Sequence, residues 1–244
     1  MISQKDIEIV SWLQEQSIGA YLKVANSLQS GMSEWDIAHS LKQELQKTGI
    51  VHYWYDVPIT VLIGPNRFKH MADTDYEIKS PRDTISLKEN DVFFIDITSQ
   101  ESTQGRWGDF SATGVYKPKN NEHVKFIEHM QMIHQEGISH IHADIKGCEV
   151  FEWFKKRFDE ENVKLIDPRS NVGHTIGFGT KQTYNRIFLD ASDQIQMKDS
   201  LYAIEPGGIK GDLVSQFEDC MYVPKKGPAM ILGRKEMLPV VFGL

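Results

Sequence analysis

Asp91-Val92-Phe93-Phe94-Ile95-Asp96-Ile97 is an almost unbroken apolar run with a carboxylate near its end. So little alternation predicts a strand covered on both faces. A carboxylate there costs several kcal/mol, roughly, unless a partner neutralises it. Residues 99–108 are polar and contain glycine, so they read as a hairpin loop, with residues 111–116 as the returning strand. Asp109 stands thirteen residues after Asp96, across that hairpin. Paired strands would bring the two carboxylates near one spot.

Working outward, Ile59-Thr60-Val61-Leu62-Ile63 reads as a strand stopped by Gly64-Pro65-Asn66. Before it, apolar residues from Ile7 to Leu28 recur at a helical period, and Gly31 ends the run. Ser33 opens a second helix, with Asp36 placed as in a capping box, and Gly49 closes it. The plan then recurs. Residues 121–138 read as a helix, 145–147 as a break, and 148–158 as a helix carrying Val150, Phe151, Phe154 and Phe158. Strand-like segments follow at 172–178, 201–204, 217–223 and 229–232. Gly31 and Gly147 hold matching places 116 residues apart. The expectation is one α+β domain over residues 1–244 with an internal pseudo-two-fold repeat, its halves about 1–118 and 119–244.

The net charge of −7 disfavours a phosphate backbone as partner, so no nucleic acid is expected. No apolar window approaches the roughly 18 residues of a membrane span. The first residues lack the basic and apolar regions of a signal peptide. Cys148 and Cys220, the two cysteines, form no Cys-x-x-Cys pair and fit a reduced, cytoplasmic setting. They read as partly buried thiols.

Three further residues share the situation of Asp96. Glu205 follows Tyr202-Ala203-Ile204. Glu218 sits between Phe217 and Asp219-Cys220-Met221-Tyr222, where a continuous strand would set Gln216 on its face. His174 is flanked by Gly173 and Gly177, which allow close backbone approach. The strands supply no matching Lys or Arg, so metal ions are the economical counter-charge. His129, His134, His140 and His142 have no i, i+4 pairing and read as solvated.

These residues carry a resemblance. Phe-Ile-Asp96-Ile, Trp-Gly-Asp109-Phe-Ser, Gly-His174-Thr-Ile-Gly, Ile-Glu205-Pro-Gly and Gln-Phe-Glu218-Asp resemble, in order, the ligand set of the methionine aminopeptidase/prolidase/creatinase superfamily. The resemblance implies a pita-bread fold and two divalent ions (Mn, Fe, Co or Zn). Asp109 and Glu218 would bridge them, Asp96 would hold one, and His174 and Glu205 the other. It implies a metal-bridged hydroxide attacking a carbonyl, a small peptide or small-molecule substrate, and a monomer or homodimer. His70, in a loop entering the Asp96 strand, resembles a histidine that contacts substrate and assists proton transfer.

Three features depart from the pattern. Seven residues after His174, where active peptidases usually carry a second histidine, stands Lys181. The Asp96–Asp109 spacing is longer than usual. Gln216 matches methionine aminopeptidases, whereas the His70 loop is prolidase-like. The expected function is a metal-dependent aminopeptidase or Xaa-Pro-type peptidase. A metalloenzyme acting on a small non-peptide substrate and a non-catalytic binding protein are the alternatives.

Overall fold

The computed structural model describes residues 1–73, 80–167, 170–179, 185–234 and 236–244. Helix α1 (Gln4–Ala25) starts at Ser3, whose hydroxyl accepts from the Asp6 amide while the Asp6 carboxylate accepts from the Ser3 amide. Helix α2 (Glu34–Lys47) repeats this capping box with Ser33 and Asp36. Then come β1 (His52–Tyr53), β2 (Ile59–Ile63), α3 (Pro65–Asp73), β3 (Val92–Ile97), β4 (Ser99–Gln100) and β5 (Phe110–Tyr116). The second half holds α4 (Glu122–Ser139), α5 (Gly147–Glu160), β6 (Lys164–Leu165), β7 (Asn171–Thr175), β8 (Phe188–Asp190) and β9 (Ser200–Ile204). It ends with β10 (Gly207–Lys210), β11 (Leu213–Gln216), β12 (Asp219–Val223), β13 (Met230–Ile231) and β14 (Val241–Phe242).

Two larger sheets organise the molecule, one ordered β14-β5-β3-β2 and the other β13-β12-β9-β7-β8. Pairing within them is antiparallel except for β14 on β5. The first packs its apolar face with α1 and α2, around Tyr21, Leu41, Phe93, Ile95 and Phe110. The second packs with α4 and α5, around Ile133, Phe154, Phe158, Val172 and Met221. A third cluster, including Val10, Trp54, Trp107, Ala203 and Cys220, fills space near the site.

Four expectations are corrected. Residues 65–73, expected as a loop, form α3. Proline suits a first helical position because its missing N–H would have no intrahelical acceptor there. Buried Glu34 holds the helix, accepting from Arg67 Nε and Nη2 at 3.0 Å each and from the Ile63 amide. The strand expected over 217–223 begins only at Asp219, because Glu218 turns its amide to Ser111 of β5 at 3.0 Å. The strand expected over 172–178 ends at Thr175. His134 is 1% exposed rather than solvated. Its Nε2 lies 2.8 Å from Asp219 Oδ2, and Arg234 Nη2 contacts the same oxygen. By contrast His129, His140 and His142 lie at the surface.

Candidate metal centre

Sheet register brings the acidic residues together. Asp96 pairs with Ser111, and Ser111 bridges on its other side to Glu218. Asp109 lies two residues before Ser111, diagonal to Asp96 on the same face. In the second sheet His174 pairs with Ala203, and the Glu205 amide donates to Val172 O at 2.9 Å.

A glycine is required beside His174. Gly173 has φ +155°, and a Cβ there would fall 2.2 Å from Ala203 O. The close approach at Gly173 is to the backbone of β9. Asp109 is fixed from α1, where buried Gln14 Nε2 donates to Asp109 O at 2.6 Å and to Cys220 Sγ at 3.0 Å.

Asp109, His174 and Glu218 each offer one ligand atom, and these atoms lie within 4.8 Å of one another. All three residues are buried. His174 Nε2 is 3.4 Å from Asp109 Oδ2 and 3.8 Å from Glu205 Oε1. Its Nδ1 stands 3.0 Å from Thr175 O. A proton on Nδ1 satisfies that carbonyl and leaves the Nε2 lone pair facing the carboxylates, which is the tautomer a metal ligand needs. Gln216 Nε2 donates to Glu205 Oε2 at 3.3 Å, orienting that carboxylate.

The electrostatics describe crowding. Burial, then the charge of Asp109, raises the Asp96 carboxyl well above the usual range. Burial, then Asp109, Glu205, Asp96 and Asp219, does the same to Glu218. Burial pushes Asp109 up to about 8, against the pull of Arg186. Asp96 Oδ1 and Glu218 Oε1 are buried without a hydrogen-bond partner. Hard oxygen donors, one oriented imidazole and orphaned carboxylate oxygens fit divalent cations.

His70 is exposed on α3, a helix packed on β2 and β11. Lys181 lies outside the described residues. The long Asp96–Asp109 spacing accommodates β4, which pairs with β1, and a turn bound to the segment after His174. There Trp107 Nε1 donates to Gly179 O at 2.6 Å and the Gly179 amide to Gly105 O at 2.9 Å.

Sequence reasoning missed the aromatic wall beside the cluster. Trp54 stacks on Trp107 at 4.4 Å, and Trp54 and Phe188 each meet the His174 ring edge-on at 6.1 Å. The Arg186 guanidinium lies over Trp54, Tyr55 and Phe188. No periodicity marks these residues. Asp219 was also missed, although a signal existed: the residue after a site-facing Glu218 turns its carboxylate the opposite way, where it needs its own counter-charge.

A model of the family described as Metallopeptidase family M24 matches residues 13–225. No curated protein matches the chain by sequence. Among solved structures, the X-Pro aminopeptidase of Thermotoga maritima superposes with a TM-score of 0.79 at 16% identity, covering 98% of this chain and 64% of its own. The Xaa-Pro dipeptidase of Bacillus anthracis gives 0.79 at 16%, covering 98% and 63%. The methionine aminopeptidase of Rickettsia prowazekii gives 0.75 at 14%, covering 96% and 99%. The chain thus spans less than two thirds of the first two proteins' length. At such identities the likeness establishes the fold, and the expected α+β pita-bread architecture is the one present.

Proposed function

The chain belongs to metallopeptidase family M24, and from that premise we propose that it is a metal-dependent peptidase removing the first residue of a small peptide. The observation carrying this reading is the convergence of buried Asp109, His174 and Glu218, with ligand atoms within 4.8 Å. In the proposal Asp96, Asp109, His174, Glu205 and Glu218 would hold two divalent ions. When bound, such ions supply a polarised carbonyl and a water acidified toward neutral pH.

The chain's own groups do the rest. Thr175 O holds the His174 ring in the tautomer that presents Nε2. Gln216 holds one Glu205 oxygen and so leaves the other directed at the cluster. The cluster receives the substrate's N-terminal amine, and the adjacent carbonyl then lies over the site. Trp54, Trp107 and Phe188 wall off one side from water, which strengthens every charge interaction inside. His70 contacts substrate and assists proton transfer, and Lys181 donates to the oxyanion where peptidases usually use histidine.

Elemental analysis of the protein, followed by turnover of Met-Ala and Xaa-Pro peptides with Mn²⁺, Fe²⁺, Co²⁺ or Zn²⁺, tests the reading. Peptide release that disappears in His174→Ala is expected. No release with any metal, or an equal signal in that variant, overturns it. Lysine at position 181 favours a second reading, a small non-peptide amide as substrate. That reading predicts turnover of simple amides in a panel where peptides stay intact.

A further inference from the structure

Arg186 is half-buried, and its guanidinium carbon lies 5.2 Å from the Trp54 ring, 5.9 Å from Tyr55 and 5.1 Å from Phe188. It has no carboxylate partner among the described residues. A half-buried guanidinium normally pairs with a carboxylate or spends its donors on carbonyls. Here aromatic faces hold the cation in place instead, and among the described residues no acceptor takes its N–H donors. The cage also adjoins the cluster. Trp54 and Phe188 both touch the His174 ring.

Two charges of opposite sign thus stand side by side. The cluster takes the substrate's N-terminal amine, and the guanidinium next to it takes an anion. Both groups must then belong to the same small part of the substrate, because the cage packs directly on a cluster residue. We propose that Arg186 binds a carboxylate on the substrate's first residue, so that the preferred substrates are peptides or amides beginning with Asp or Glu. This rests on the amine-binding reading of the cluster given above. A planar fork of donors already stacked on rings suits a carboxylate in two-point contact. A neutral amide of the same shape would leave one donor pair unmatched, and such sites reject the analogue strongly.

The test compares Glu-Ala-amide with Gln-Ala-amide, and Met-Ala free acid with Met-Ala-amide, on the Mn²⁺-supplied full chain and on Arg186→Gln and Arg186→Lys. The expected result is a kcat/KM preference for Glu over Gln of roughly 30-fold. It should collapse to about threefold or less in Arg186→Gln and be partly kept in Arg186→Lys, which retains charge but not the fork. A Glu/Gln ratio near one in the unaltered protein, or one that survives Arg186→Gln, overturns the proposal. An Arg186-dependent preference for free acid over amide also overturns it, because it places the guanidinium at the other end of the substrate. If no peptide is cleaved, the peptidase reading fails separately. Calorimetric titration with glutamic acid α-amide and glutamine amide then decides: tighter binding of the acid by about tenfold, lost in Arg186→Gln, upholds the inference, and equal binding sinks it.

Discussion

Replacing Glu218 with glutamine should make the metal-stripped protein more stable while destroying its metal site. Glu218 is buried, one of its oxygens has no hydrogen-bond partner, and burial with four neighbouring carboxylates raises its carboxyl well above 4.5. The unfolded chain releases that proton near its ordinary value, whereas the folded, stripped protein keeps it. The native state therefore binds more protons, and stability falls as pH rises from about 4.5 toward the folded value. Each unit of pH in that window costs about 1.4 kcal/mol. The cost grows with pH until the folded carboxyl releases its proton, and the neighbouring carboxyls share it. Glutamine has nearly the same shape and no charge to shed, so the variant escapes the cost. Urea unfolding of both stripped proteins at pH 4.5, 6 and 7.5 measures it. The variant should gain little at the lowest pH and at least about 1.4 kcal/mol, the worth of one pH unit, at the highest. With metal at about a thousandfold excess over Kd the order should reverse, since ligand binding to the native state then adds about 4.1 kcal/mol. A stripped variant no more stable than the unaltered protein at pH 7.5, or a pH-independent difference, would refute the reasoning.

Gly173→Ala should cost about 2–4 kcal/mol, because its Cβ would fall 2.2 Å from Ala203 O at a φ of +155°; denaturation losing under 1 kcal/mol would contradict the geometry. Asp219→Ala should cost about 3–5 kcal/mol by stranding buried Arg234. Adding Arg234→Met should recover most of that loss, and a double-mutant cycle without coupling would sink the account. Lys181→His should raise peptide turnover by about 10–100-fold if position 181 stabilises the oxyanion, and an unchanged kcat would remove it from that role.

The long elements and the site-bearing strands were legible because their signals are local. A helical apolar period, one capping box and one continuous apolar run say where α1, α2 and β3 lie or begin. Helix α3 was not legible, since it is short and is held by Glu34 through an ion pair between residues 33 positions apart. The β10–β11 hairpin was readable in principle: Gly211-Asp212 is a two-residue turn between paired strands, with Gly211 at φ +63°. Its glycine-rich first strand, Gly207-Gly208-Ile209-Lys210, hid it. His134 was misjudged for a definite reason. Asking only for a second histidine at i+4 ignored the stripe Ile127, Gln131, His134, Ile138, whose alternating spacing of four and three is the buried face of α4.

That misjudged histidine also shows how two adjacent acids can be buried at once. Glu218 and Asp219 lie next to each other, yet they meet opposite chemistry. Burial alone would raise the Asp219 carboxyl, but Arg234 and His134 hold it below the usual range. Burial keeps His134 neutral against the pull of Asp219, so it serves as a hydrogen-bond donor and the pair is one carboxylate to one guanidinium. The charge on that side is balanced by the protein. On the other side Glu218 joins Asp96 and Asp109, the caged Arg186 pulls on Asp109 without overcoming burial, and the carboxyls rise instead of falling. Local composition around the two acids is the same, so the difference comes from which packing layer each one faces. A strand that sorts neighbouring carboxylates into one balanced internally and one left for an external cation builds a metal ligand out of ordinary alternation.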